Sequence, residues 1–405
     1  MKSNYKRIGD YIRLVDNRNT DLSVENLLGL SITKEFVPSV ANTVGTDMSK
    51  YKVVKKNQFV CSTMQVRRDK KMPVALLQHV DEGIISPAYY VFEVIDEDIL
   101  LPEYLMMWFS RSEFDREACF YAIGGVRGSL EWEDFCDMKL PIPSIEKQRE
   151  IVKEYNTILN RIKLNKRSLV NLEELAHAIF KEWFVDFKYS LKSNNNYKSI
   201  DIREKEGLNS VNNMPLGWHE ESIGEFVDLS QGLAINAKTD HLIITNNEDG
   251  GIPLLRITDL INGTKEIFID RDVSKKNIVS RDEIIVTRTG QVGLVFRNKE
   301  GVLHNNCFKV NIKNSRINKD YLFWFLKREN TRKMMIEVAS GSAQADLSHS
   351  SFKKLKIIIP DYELQCLFSE KIKRIQKAMD IREEFIYKLD DIRRILLARI
   401  ATMEG

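Results

Sequence analysis

The chain has little of what usually announces a chemistry. Five cysteines (61, 119, 136, 307 and 366) are scattered through 405 residues, odd in number and never spaced as C-x-x-C. Neither a disulfide framework nor a zinc site follows from them, and small buried side chains in a reducing cytoplasm are the expectation. No apolar run approaches the roughly 20 residues of a membrane span. The opening Met1-Lys2-Ser3-Asn4-Tyr5-Lys6-Arg7 has no apolar core behind it, so no secretory signal is expected. The phosphate-cradling G-x-x-x-x-G-K-[ST] loop, the dinucleotide pattern G-x-G-x-x-G and any Pro-Pro pair are missing. Six histidines (79, 177, 219, 241, 304 and 349) form no H-x-x-x-H or H-E-x-x-H group for a metal. Neither charge dominates: 61 Lys and Arg against 58 Asp and Glu give a net +3. That balance tolerates a nucleic-acid partner without demanding one.

What is present is a repeat. The length predicts two core-forming domains, and the sequence says how they are related. Laid over Tyr321–Gln365 without a gap, Tyr104–Gln148 is identical at 12 of 45 positions, an offset of 217 residues. Unrelated sequence of this composition would match at roughly three. The identities include Tyr104/Tyr321, Leu130/Leu347, Phe135/Phe352, Pro143/Pro360 and Gln148/Gln365. Upstream, with small gaps, Ile8-Gly9-Asp10-Tyr11 answers Ile223-Gly224-Glu225-Phe226, and Asn57-Gln58-Phe59-Val60 answers Asp282-Glu283-Ile284-Ile285. A long unit occurring twice is a duplicated domain rather than a solenoid.

Each copy ends in a long helical pattern. Ile151, Tyr155, Ile158, Ile162, Asn165, Leu169, Leu172, Ala176, Ile179 and Trp183 alternate spacings of four and three, the seam of a coiled coil. The same offset gives Phe368, Ile372, Ile375, Met379, Arg382, Ile386, Leu389, Arg393, Leu396 and Ile400. Both seams are polar at one matching position, Asn165 and Arg382, where a buried polar side chain would fix register. The bland alternative is two helices packed on globular cores. The remainder reads as mixed α/β, with strands at Lys52–Val54, Gln58–Cys61, Tyr89–Ile95, Ile284–Thr287, Val292–Phe296 and Phe308–Ile312. The divisions are 1–143, a first helix 144–187, an Asn- and Lys-rich linker 188–216, a second domain 217–360 and a second helix 361–405.

Catalytic candidates are weak. Pro360-Asp361 could open a nuclease-like carboxylate set, but its partner is Pro143-Ser144, and Asp at a helix start commonly caps free amides. His177 reads as a solvated helix residue. Binding chemistry is better represented. Lys50, Lys52, Lys55, Lys56, Arg67, Arg68, Lys70 and Lys71 face one acidic residue, Asp69, within Lys50–Lys71. They suit phosphate contacts, or else keep an exposed face soluble. Arg288, Thr289 and Gln291 lie in a Gly-rich turn after a strand, and Gln65 lies in the corresponding stretch of the first copy. Arg127 and Ser129 fall in a loop that matches the one holding Gln344. Forked Arg and Gln donors can read guanine and adenine edges, and glycine lets backbone approach DNA.

Three stretches resemble the specificity subunits of type I restriction-modification systems. They are Leu140-Pro141-Ile142-Pro143-Ser144-Ile145-Glu146-Lys147-Gln148 with its partial echo at Ile357–Gln365, Phe180-Lys181-Glu182-Trp183-Phe184-Val185-Asp186-Phe187, and the turn Thr287–Gly293. The echo keeps only part of the first motif, and the first copy has only Ser62-Thr63-Met64-Gln65 where the second has Thr287-Arg288-Thr289-Gly290. The resemblance implies two α/β (α+β) target recognition domains, joined in a pseudo-twofold arrangement by two long antiparallel coiled-coil helices. It implies a non-catalytic protein in the cytoplasm that binds a bipartite double-stranded DNA target. Two methyltransferase subunits, using S-adenosylmethionine, and two motor-nuclease subunits, using ATP and Mg, would be its partners. This chain would bind no cofactor or metal itself. The rival readings are a protein-interaction scaffold that ignores DNA, and a two-domain nuclease whose site escapes motif search.

Overall fold

The computed structural model describes residues 5–39, 45–122, 128–193, 196–202, 214–244, 250–339 and 345–402. It forms two compact units, Met1–Lys166 with Glu384–Gly405, and Arg167–Glu383. Each long helix contributes one end to each unit.

The first unit holds a four-stranded antiparallel sheet in the order Ile12–Val15, Tyr90–Val94, Phe59–Cys61, Val74–Leu76. The second repeats it as Val227–Gln231, Cys307–Ile312, Ile284–Thr287, Val295–Phe296. Phe59–Cys61 and, up to Val286, Ile284–Thr287 are unbroken apolar runs because both faces are covered, while the other inner strands carry Glu93 and, in the second copy, Lys309 and Asn311. Phe59 and Cys61 join one core cluster while Val60 joins another, and Ile284 and Val286 are likewise divided from Ile285. Val292 and Leu294, expected within a strand, belong to the turn before it. Helices follow in pairs, each pair beginning 217 residues apart: Pro102–Phe109 and Lys319–Lys327, Ser112–Tyr121 and Glu329–Ala339, Trp132–Asp137 and His349–Lys353, Ile145–Phe184 and Tyr362–Ile400.

Around this common frame the copies diverge. The first carries two-stranded pairings of Lys52–Lys55 with Glu82–Ile85 and of Leu28–Leu30 with Phe36–Pro38. The second carries a five-stranded sheet that includes a parallel pairing of Ile252–Leu255 with Gly301–Leu303. The segment read as a linker contains an antiparallel hairpin, Lys188–Ser193 with Asn196–Asp201. Alternating Tyr, Ser, Leu and Ile, hidden between Asn- and Lys-rich flanks, suffices for a short ladder.

Several duplicated identities are explained by hydrogen bonds at the helix starts. Gln148 is fully buried; its Oε1 accepts from Leu101 N (2.9 Å), and its Nε2 donates to Ile99 O (2.8 Å) and Pro143 O (2.9 Å). Gln365, also fully buried, accepts from Asn318 N (2.8 Å) and donates to Arg316 O (3.1 Å) and Pro360 O (2.8 Å). Tyr104 Oη donates to Pro141 O and Tyr321 Oη to Ile358 O. Each glutamine thus satisfies three backbone groups of loops that have no ladder of their own.

The seam positions form the buried face of the long helices. In the first unit Ile151, Tyr155, Ile162, Leu389, Leu396 and Ile400 are buried and Ile158 is half-buried. In the second, Ala176, Ile179, Phe180, Trp183 and Phe184 share a core with Tyr321, Phe368, Ile372 and Met379, while Leu172 and Ile375 pack against it. Within that unit Arg382 Nε donates to Ser168 Oγ (2.9 Å) and Phe184 meets Phe368 at 5.1 Å. Numbers rise along one helix as they fall along the other, so the pairing is antiparallel. The two polar seam residues part company here. Arg382 spans the helix pair, whereas half-buried Asn165 turns its Nδ2 to Arg161 O on its own helix (2.8 Å). Among the described residues no helix is long and apolar enough to cross a membrane.

Removing either glutamine strands buried donors and acceptors together. Gln148→Ala and Gln365→Ala should each cost about 3 kcal/mol of stability, read as a lowered urea midpoint by tryptophan fluorescence. An unchanged midpoint for both would show that these buried glutamine bonds do not hold the helix starts in place.

Candidate nucleic-acid interface

The turn after each copy's second sheet strand is the best-built candidate for contact with a ligand. In the second copy it leaves the strand at Thr287, whose Oγ1 accepts from Leu294 N (2.8 Å) and donates to Gln291 O, while Gly293 N donates to Thr287 O (3.0 Å). Gly290 and Gly293 stand at φ +68° and +75°, backbone that glycine adopts without strain. This closure leaves Gln291 exposed at the tip, with Arg288 and Thr289 half-buried beside it.

The first copy begins its turn the same way, which its sequence conceals, and then continues into the short helix Val66–Asp69. Leu347 N donates to Arg288 O at 3.0 Å, and Leu130 N donates to Thr63 O at 2.9 Å. Since Leu130 and Leu347 are a duplicated pair, Thr63 occupies the place of Arg288. Two residues on, Gln65 stands at φ +62° where the second copy has Gly290 at +68°. Holding a non-glycine residue there costs roughly 1 kcal/mol or more. The entry to the strand agrees: Gln58 Oε1 accepts from Lys55 N (2.8 Å) as Glu283 Oε2 accepts from Ser280 N (2.7 Å).

On this shared backbone the side chains differ in charge. Arg288 makes a two-pronged ion pair with Asp346, Nε to Oδ1 at 2.5 Å and a terminal nitrogen to Oδ2 at 2.7 Å. Thr289 bridges to Asp346 through backbone. The positions of Arg288 and Asp346 are filled in the first copy by Thr63, which is buried, and Ser129, which is exposed. A fixed, oriented guanidinium is suited to a guanine edge, and hydroxyls serve less selectively. Thr63 and Asp346 were not candidates from sequence; the Leu130/Leu347 identity was the signal that could have found them. Arg127 and Gln344 lie outside the described residues.

The basic segment is not one surface. Lys55, Lys56, Lys70 and Lys71 are exposed, as is Lys50, which lies 3.4 Å from Asp47. Arg68 pairs with Asp69 (2.6 Å). Lys52 departs from the phosphate expectation. Its Nζ donates to Tyr89 O (2.8 Å) above the Tyr90 ring, and burial pulls its pKa down, because it bridges sheet and loop. Arg67 lies across Gly128, where a Cβ would sit 2.6 Å from Arg67 Cδ, so a side chain there would push that arginine aside. Among the described residues no group of three His, Cys, Asp or Glu could hold a metal ion.

Fold and turn together define a tandem recognition protein, one scaffold docking the start of a turn at the same place twice with different side chains. The chain belongs to the family of the type I restriction modification DNA specificity domain, whose model matches residues 40–174 and 215–389. It is a specificity subunit of that kind. It is 22% identical to the HindI specificity subunit of Haemophilus influenzae, over 87% of each chain. It is 23% identical to the MjaIX specificity subunit of Methanocaldococcus jannaschii, over 76% of this chain and 70% of that one. The crystal structure of the type I system S subunit from M. genitalium shares the fold, with a TM-score of 0.53 at 13% identity over 99% and 96% of the two chains.

The Arg288–Asp346 pair should show itself in acid. Hydrogen bonds from Arg288 hold the Asp346 carboxyl below its ordinary value. A depressed carboxylate stabilises the fold above its unfolded value, about 4, and that contribution is lost as pH falls through the folded value. Both side chains are about one-third exposed (32% and 35%), so the effect should stay within about 1 kcal/mol. Thermal denaturation of Asp346→Asn between pH 5 and 3 should show a smaller acid loss than the parent; equal losses would deny the pair any such role.

Proposed function

We propose that each copy of the domain reads one half of a bipartite duplex DNA target. The chain itself does no chemistry and directs two adenine methyltransferase subunits and two ATP-dependent motor-nuclease subunits to that target. S-adenosylmethionine, ATP and Mg belong to those partners. The relatives named above are subunits of type I restriction enzymes by name, which supports association with other subunits. One observation carries the reading of DNA: the turn after the inner strand is docked by the same backbone hydrogen bond in both copies, yet carries Arg288 and Asp346 in one and Thr63 and Ser129 in the other. A duplicated enzyme site would need its chemistry kept in at least one copy. A pair of readers for two unlike half-sites needs the frame kept and the side chains changed.

Contacts to base edges discriminate by about 1–3 kcal/mol per bidentate pair, whereas phosphate contacts strengthen binding to every sequence. With methyltransferase subunits present, Arg288→Ala should relax the choice of base at one position of a single half-site. Lys55→Ala should weaken all targets alike and lower the salt slope by about one ion. The measurement is binding to point-substituted duplexes at several salt concentrations. Uniform weakening by Arg288→Ala would move that turn from base reading to phosphate contact.

A further inference from the structure

Phe120, in the last turn of Ser112–Tyr121, is 81% exposed, the most exposed large apolar side chain among the described residues. An apolar side chain standing alone in solvent is ordinary and carries nothing by itself. The setting of Phe120 is not ordinary. With Arg67, Lys70, Arg116 and Cys119 it lines a depression of about 380 Å³. Cys119 Sγ donates to Val66 O (3.9 Å), which fixes this helix end against Val66–Asp69, the short helix that leaves the first copy's reading turn at Gln65. Tyr121, also exposed, meets Phe120 edge-on at 5.5 Å and limits its swing. Of the carboxylates on these two helices, Asp69 is bound by Arg68 and Glu113 lies 3.3 Å from Arg116, while Glu117 is half-buried on the same helix as Phe120. At the offset of 217 the second copy has Glu337 in place of Phe120.

An aromatic face ringed by cations, beside a base-reading turn, matches one occupant above others: a polyanion with flat apolar groups between its charges. We propose that Phe120 is a specificity-determining wedge of the first recognition domain. Its ring lies against a base or deoxyribose at one step of the first half-site, while Arg67, Lys70 and Arg116 face the flanking phosphates. Apolar side chains that enter a base step, and aromatic platforms for bases, work in this way. The second domain, with a carboxylate at that position, has no such wedge, so the deformation falls on one half-site alone. This inference rests on the DNA-reading function proposed above.

The test uses the full chain with its methyltransferase subunits and a duplex carrying the methylated target, with 2-aminopurine placed at successive positions. The expected results are a fluorescence rise at one step of the first half-site, lost in Phe120→Ala and kept in Phe120→Trp. Phe120→Ala should bind about 5- to 150-fold more weakly with its salt slope unchanged, whereas Arg116→Ala should lower that slope by about one ion. An exposed ring leaves the melting temperature as a check on folding, and it should not move. Unchanged affinity and fluorescence in Phe120→Ala would overturn the wedge while the DNA-reading function stands. Loss of methyltransferase capture with DNA contact intact would reassign Phe120 to a protein interface and overturn it equally. A parent complex indifferent to target sequence would instead remove the reading beneath it.

Discussion

Each recognition domain is closed by side chains from the end of a helix that starts, in sequence, on the other copy. Phe180, Trp183 and Phe184, at the end of the first long helix, pack with Tyr321, Phe368 and Ile372 in the unit Arg167–Glu383. Leu396, Leu397 and Ile400, at the end of the second, pack with Ile151 and Tyr155 in the other unit, where Tyr5 Oη donates to Ala401 O (2.8 Å). Burying each large apolar side chain contributes about 1.5–3 kcal/mol, so neither core is complete without its borrowed turns. The helices therefore cannot slide in register without opening a domain. Length and phase of the helices are coupled to the integrity of both readers.

That coupling explains which residues the duplication preserved. The identities at Tyr104, Pro143, Gln148 and their partners fall where a helix start must be locked to a loop. A buried side chain serving three backbone groups has few substitutes, because each loss leaves an unpaired polar atom in the interior. Residues that would face a ligand are under no such constraint, and they differ. Arg288 is replaced by Thr63, Asp346 by Ser129 and Glu337 by Phe120. The peripheral sheets differ too, a five-stranded one in the second copy against short two-stranded pairings in the first. A rigid frame with free surfaces lets one protein hold two specificities.

The turn shows how the frame sets up its chemistry. Gly290 and Gln65 share a left-handed backbone although their sequences share nothing. What holds both is the bond from the amide of Leu130 or Leu347, a leucine buried in the core behind it. The backbone is thus positioned from beneath, and the side chains on top are free to vary. In the second copy Asp346 then orients Arg288, so that the guanidinium presents one geometry rather than many.

Duplication, mixed α/β class and the helix seams were all legible in the sequence, since each is a matter of periodicity. An offset repeated through a domain and a helix, or apolar residues at alternating spacings of four and three, survives any drift in detail. Two of the three stretches that carried the family resemblance, Leu140–Gln148 and Phe180–Phe187, are structural in the same way. The sharing of helix ends was hidden: a seam pattern marks a buried face and does not say which core covers it. Lys52 illustrates the same limit, its charge counted with its neighbours while its ammonium is turned inward onto Tyr89 O. The partners of Arg288, the likeness of Gln65 to Gly290, and the company around Phe120 depend on contacts between residues far apart in the chain. Those contacts arise only when strands pair and helices dock, so tertiary structure alone decided them.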